Sequence, residues 1–184
     1  MTHLVYLAFG SNQGDRQATY RKSLAALSRV PGTVVKAWSR LYETEPIGLS
    51  DGGSTFLNAA MAVETDLSPR ELMRELSQIE ARLGKSPTHT SDLSRAIDLD
   101  LLLYDDWHVH EDSLDVPHPR MHRRAFVLVP LAEIAADAVH PVLRLTVEEL
   151  VRRLPPGDRD GVCPVTSAKS NRFTGPEEGF AGQG

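Results

Sequence analysis

Two aspartates set two residues apart carry the clearest chemistry in this sequence, within Ser94-Arg95-Ala96-Ile97-Asp98-Leu99-Asp100-Leu101-Leu102-Leu103-Tyr104. The run from Ile97 to Tyr104 is aliphatic and strand-length, which predicts a β-strand. Alternation then puts Ile97, Leu99, Leu101 and Leu103 on one face. Asp98 and Asp100 share the other, about 7 Å apart by strand rise. Like charges side by side destabilise a strand, and a divalent cation between them reverses the sign of that interaction. Mg²⁺ is typically held by one or two carboxylates together with substrate phosphates, so the pattern points to nucleotide chemistry. Arg95 offers a fork of donors suited to a phosphate. The plainer alternative is a solvated strand face whose acids are merely exposed, and the segment alone leaves both open.

Other clusters say less by themselves. Val116-Pro117-His118-Pro119-Arg120-Met121-His122-Arg123-Arg124 gathers cations beside a stiffened turn and reads, alone, as a solvated basic face. Asn58 sits in an apolar run and needs its amide satisfied by the core or by a ligand edge. Gly84-Lys85-Ser86 imitates the end of a phosphate loop, but the required upstream glycine position holds Ile79, and Pro87 follows. His108-x-His110 and His118-x-x-x-His122 have no third partner at metal-ligand spacing, and Pro119 disfavours the helix the second pair would need.

The elements that must position these residues can be read along the chain. Leu4–Phe9 reads as a strand ended by Gly10-Ser11-Asn12-Gln13-Gly14, and Asp15 as the N-cap of a helix burying Leu24, Leu27 and Val30. Pro31-Gly32 ends that helix, and Thr33–Tyr42 reads as a second strand. A Gly- and Pro-containing loop from Glu43 to Thr55 leads to a third strand, Phe56–Thr65. Ser68-Pro69-Arg70-Glu71 is a capping box opening a helix that carries Leu72, Leu76, Ile79 and Leu83 and stops at Gly84. After the aspartate strand, a short strand is expected around His108–His110. Ala125–Ala136 is expected to be helical but interrupted by Pro130. A second capping box at Thr146-Val147-Glu148-Glu149 opens a last helix to Leu154. From Pro155 onward Gly, Pro, Ser and acids dominate, which predicts a disordered tail outside a 1–154 domain. The order strand, helix, strand, strand, helix, strand predicts an α+β, ferredoxin-like split β-α-β sandwich with C-terminal helical additions.

The 184 residues suffice for one domain with a real core. A net charge of −5, without a Lys/Arg block, gives no electrostatic footprint for nucleic acid. Cys163 is the only cysteine, so no intrachain disulfide framework can form. The opening residues lack the basic start of a signal peptide, and nothing approaches a membrane span, so a soluble cytoplasmic protein is expected.

Five segments together resemble a known family. They are Leu7-Ala8-Phe9-Gly10-Ser11-Asn12-x-Gly14-Asp15, Tyr42-x-Thr44-x-Pro46-Ile47-Gly48, Phe56-Leu57-Asn58-Ala59-Ala60, Arg95-x-x-Asp98-Leu99-Asp100 and Val116-Pro117-His118-Pro119-x-Met121. In order and spacing they are similar to 6-hydroxymethyl-7,8-dihydropterin pyrophosphokinase of folate biosynthesis, from Leu4 to about Leu154. The resemblance implies transfer of the terminal pyrophosphoryl group of ATP to the pterin hydroxymethyl group, with release of AMP. It implies that Asp98 and Asp100 hold two Mg²⁺ ions, and that Lys85, Arg95, His118 and Arg124 contact phosphates, Lys85 and Arg95 counting as catalytic. It puts Met73 and Glu80 on the nucleotide pocket, and Thr44, Pro46, Ile47, Phe56, Asn58 and Phe126 on the pterin pocket. ATP and the pterin are then the partners of a monomer, with no nucleic acid and no membrane. The chain departs from the family in the loop Pro87–Ser94, where Asp92 and Leu93 replace a Trp and a Gly, and at Pro119, where an aromatic residue is usual. Rival readings are a pterin-binding module without turnover and a glycosyl transferase using Asp-x-Asp with a nucleotide sugar.

Overall fold

The computed structural model describes residues 1–45, 55–84 and 96–165. The chain opens with β1 (His3–Ser11), α1 (Arg16–Leu27), β2 (Thr33–Trp38), β3 (Tyr42–Thr44), β4 (Phe56–Thr65), α2 (Pro69–Arg82) and β5 (Asp98–Tyr104). It continues with β6 (Val109–Glu111), β7 (Leu114–Val116), a 3₁₀ turn at Met121–Arg123, α3 (Ala125–Ala135), β8 (Val139–His140) and β9 (Leu145–Thr146). It closes with α4 (Val147–Arg153), α5 (Pro156–Asp160) and β10 (Cys163–Pro164). The main sheet runs β10-β3-β4-β1-β5, with β2 also paired to β4, and every pairing is antiparallel. The inner order β5-β1-β4-β2, with α1 and α2 as the crossovers, is the ferredoxin-like plan.

The local signals act as expected where they rest on backbone chemistry. Asp15 accepts the Ala18 N–H at 2.9 Å, and Ser68 and Glu71 form a reciprocal capping box ahead of Pro69. Gly84 ends that helix at φ +105, a conformation a side chain would resist. One sheet face buries Leu7, Phe9, Met61 and Val63 under Leu24 and Leu27 of α1 and Leu72, Leu76 and Ile79 of α2. The other face carries Ala8 and Ala60 under Leu128 and Leu131 of α3 and Leu150 of α4, so the C-terminal additions form a third layer.

Four expectations are corrected. Thr33–Tyr42 is two strands, because Ser39 breaks the ladder: its Oγ accepts the Ala60 N–H at 2.9 Å and donates to the Arg40 carbonyl at 2.7 Å. The aspartate strand does not alternate to its end. Tyr6 faces Leu103 while Leu7 faces Leu101, so Leu102 is an extra residue that turns Leu103 into the second core. Pro130 does not interrupt α3, which runs through it; burial of Val127, Leu128 and Leu131 holds the helix despite the missing donor. The folded unit also passes Leu154: β10 pairs with β3, and Val165 donates to the Leu41 carbonyl at 2.8 Å. Residues 166–184 lie outside the described residues. No helix among the described residues is long and apolar enough to cross a membrane.

Candidate active site

Register brings the sequence candidates onto one sheet face. Gly10 on β1 faces Asn58 on one side and Asp98 on the other, and Ala8 faces Ala60 and Asp100. Directly paired residues share a face, so Asn58, Gly10 and Asp98 form one row and Ala60, Ala8 and Asp100 the next. Asn58 and Asp98 are two strand spacings apart, about 10 Å. The residue between them has no side chain, which leaves a gap that a methyl at Gly10 would start to fill, 3.6 Å from Asn58 Oδ1.

The amide end of this row is already oriented. Asn58, 4% exposed, donates its Nδ2 to Thr44 Oγ1 at 2.8 Å. Thr44 in turn faces Phe56 across the β3–β4 pair. Phe126, at the start of α3, packs against the core that holds Ala8, Tyr42 and Ala60, and the Arg124 guanidinium lies 5.5 Å from its ring centroid. Pro46 and Ile47 lie outside the described residues.

The carboxylate end is held from both faces. On the closed face, buried Ser11 donates its hydroxyl to the Ala96 carbonyl at 2.6 Å. Buried Glu80 accepts the Leu99 N–H at 2.7 Å, so the backbone on either side of Asp98 is pinned. On the other side, the Leu102 bulge presents its carbonyl to the His118 N–H at 2.9 Å. That bond brings the His118 ring up to Asp100, with Nε2 3.9 Å from Oδ2. Nδ1 accepts the Arg120 N–H at 3.1 Å, which leaves the proton of the neutral ring on Nε2, facing Asp100. Burial lowers the His118 pKa against the raising pull of Asp100, and Arg124 and Arg120 lower it further, so the neutral form prevails at neutral pH.

A cavity of about 200 Å³ opens along this free sheet edge, lined by Met73, Asp100, Leu101, Asp112, Ser113, Leu114, Asp115, His118 and Pro119. Asp98 and Asp100 are half-buried, with side chains on the face that borders it. Among the described residues no group of three or more His, Cys, Asp or Glu could enclose a metal by itself. Two hard oxygen donors beside an open cavity fit Mg²⁺, which commonly completes its shell with phosphates and water.

Residues 6–136 match the family model of 7,8-dihydro-6-hydroxymethylpterin-pyrophosphokinase (HPPK). The chain belongs to this family. A 2-amino-4-hydroxy-6-hydroxymethyldihydropteridine pyrophosphokinase of Bacillus subtilis is 42% identical over 134 residues, covering 73% of this chain and 79% of that protein. The enzyme of the same name from Methylorubrum extorquens is 42% identical over 151 residues, covering 82% and 93%. The HPPK-DHPS crystal structure of Plasmodium falciparum shares the fold at a TM-score of 0.67 and 16% identity, over 83% of this chain and 45% of that one. The chain thus spans most of its bacterial relatives and under half of that longer protein. HPPK membership makes it a pyrophosphokinase of folate biosynthesis.

Within the HPPK frame, Met73, Asp100 and His118 come together at one cavity, and Thr44, Phe56 and Asn58 come together at the other end of the row. Glu80 is buried and braces β5 through the Leu99 N–H, and it is not among the residues that line the cavity. Lys85, Arg95 and the departing loop Pro87–Ser94 lie outside the described residues. The sequence reading missed Asp112, Ser113, Leu114 and Asp115. The turn-forming Asp112-Ser113 pair between two short apolar stretches was the available signal for a β6–β7 hairpin beside the aspartates.

Proposed function

We propose that the Asn58–Gly10–Asp98 row is the axis along which pyrophosphate passes from ATP to 6-hydroxymethyl-7,8-dihydropterin. The gap at Gly10 between an oriented amide and a carboxylate pair carries this reading. Phe126 and Phe56 flank the flat ring, and Asn58, already oriented by Thr44, reads its hydrogen-bonding edge. The triphosphate lies at the Asp100–His118 cavity, with Met73 against the nucleotide. In the transfer, the hydroxymethyl oxygen bonds to the β-phosphorus while that phosphorus loses its bond to the oxygen bridging the α and β groups. AMP departs with the electron pair, and the hydroxyl proton is released to solvent.

Asp98 and Asp100 would hold Mg²⁺, two ions by the family resemblance, and bound Mg²⁺ supplies charge neutralisation of the triphosphate. The remaining work falls to the protein. His118 donates its Nε2 proton to a phosphate oxygen, and the bond from its backbone to Leu102 fixes where that donor points. Arg124, and by resemblance Lys85 and Arg95, balance phosphate charge. Glu80 and Ser11 keep the β5 backbone in place, which holds Asp98 in register with Gly10. By the family resemblance the enzyme is a monomer, and the use of ATP supports a cytoplasmic setting. The test is AMP formation from ATP with and without hydroxymethyldihydropterin and Mg²⁺. AMP release that needs all three supports the reading. Tight pterin binding without AMP release would instead identify a binding module.

A further inference from the structure

Glu133 lies seven residues after Phe126 on α3, two turns along the same helix face and about 10 Å away. Its side chain is 7% exposed. The carboxylate accepts the Tyr42 hydroxyl at 2.7 Å, and the Arg40 Nε and backbone N–H, each at 3.2 Å. Tyr42 is the direct cross-strand partner of Asn58, and Thr44, which orients the Asn58 amide, follows on the same strand. One buried carboxylate therefore ties the helix bearing one wall of the proposed pterin slot to the strand bearing the other.

Packing alone is poorly suited to fix that distance. On the face that α3 covers, the centre of the sheet offers only Ala8 and Ala60, which are too small to interlock with a helix by themselves. A charge-assisted cluster with three donors on one carboxylate supplies a defined geometry instead. Burial and the bond to Glu133 push the Tyr42 pKa up to about 12, so the phenol remains a donor throughout the working pH range.

We propose that Glu133 is a positioning residue for the pterin slot, setting through Tyr42 and Arg40 the gap between Phe126 and the Asn58–Thr44 edge. The inference rests on the slot reading above. Glu133 acts on pterin affinity without touching substrate, and the nucleotide end of the row is outside its reach.

Steady-state AMP release by full-length Glu133→Gln and Tyr42→Phe, with each substrate varied in turn, tests the proposal. The pterin KM should rise about tenfold in both variants, a typical cost of loosening a pre-formed site. The KM for ATP should stay within twofold. The double variant should fall short of the product of the two single effects, because both weaken the shared Tyr42–Glu133 contact. Unchanged pterin KM, or equal rises for both substrates, would overturn the proposal. Should Glu133→Gln fail to fold, Tyr42→Phe keeps the ring packing and carries the test by itself. Asn58→Ala separates the two levels. If it weakens pterin binding while the Glu133 and Tyr42 variants do not, only the positioning role fails. If Asn58→Ala has no effect on pterin binding, the slot reading falls and this proposal with it.

Discussion

The two faces of the central sheet are built from the same three strands and do opposite work. Odd-numbered positions of β1 and β4, among them Leu7, Phe9, Met61 and Val63, fill the face under α1 and α2 with large apolar side chains. Four even-numbered positions of the same strands, Ala8, Gly10, Asn58 and Ala60, are small or polar; Ala8 and Gly10 face Asp100 and Asp98 across the β1–β5 pair, and Ala60 and Asn58 flank them on β4. Period-two alternation thus lets one strand contribute large core residues on one side and, on the other, small residues that α3 and α4 partly cover and that leave the gap at Gly10. The closed face also serves the open one. Ser11 and Glu80 reach the β5 backbone from it and pin the strand that carries the aspartates. Rigidity is supplied from behind, and chemistry is left in front.

This division can be broken from either side. Asp98→Ala or Asp100→Ala should cut pyrophosphoryl transfer by about 10²-fold or more, on the order of 3 kcal/mol, with the folded state intact. Urea unfolding beside initial rates checks both halves, and wild-type turnover in either variant would remove the carboxylates from the site. Leu76→Ala, on the closed face at 1% exposure, should do the converse. It is expected to lower stability by about 2–5 kcal/mol while the molecules that remain folded keep their kcat. A smaller effect is expected at the amide end. Asn58→Ala should weaken pterin binding by about 1–3 kcal/mol and leave ATP binding nearly unchanged. Titration calorimetry with each ligand separates the two, and equal losses would make Asn58 a folding residue.

What the sequence made legible follows the same physics. Ser68-Pro69-Arg70-Glu71 and Thr146-Val147-Glu148-Glu149 each specify a local hydrogen-bond exchange, and both capping boxes form as read. Phe56–Thr65 is recovered to the residue, and the aspartate strand to within one. The Leu102 bulge was hidden because a run of leucines shows no alternation to break, yet that bulge supplies the carbonyl that anchors His118. Ser39 ends β2 through a bond to a strand distant in sequence, which no local pattern encodes. The same holds for Cys163-Pro164, whose pairing depends on the exposed edge of β3 rather than on their own composition. Glu133 and Tyr42 are 91 residues apart and become a pair only when α3 settles on the sheet. Motifs that mark the candidate site were readable; the residues that hold those motifs in place needed the fold.

The smallest expected effect concerns acid, and it sharpens the contrast between the faces because it belongs to the segment that covers the open one. His118, His122 and His140 all have pKa values lowered chiefly by burial, with Arg123 adding to the effect at His122 and His122 at His140. The His122 and His140 rings meet edge to face at 6.3 Å. A histidine whose folded pKa lies below its unfolded value of about 6.5 binds fewer protons in the native state. Stability therefore rises with pH across that interval: it is complete above about 6.5 and is lost as pH falls through the folded values. The capping carboxylates Glu71 and Glu149 are shifted down from 4.5, so their loss falls below that pH and leaves the window from about 7 to 5 to the histidines. Each proton of difference contributes a slope of at most about 1.4 kcal/mol per pH unit. His140 Nδ1 accepts the Leu143 N–H at 3.2 Å, so His140→Asn keeps an acceptor there while removing the titration. Urea midpoints measured between pH 7.5 and 5 should fall in the parent chain and fall less steeply in the variant. An equal slope in the two would mean that the acid sensitivity arises elsewhere than at the histidine pair.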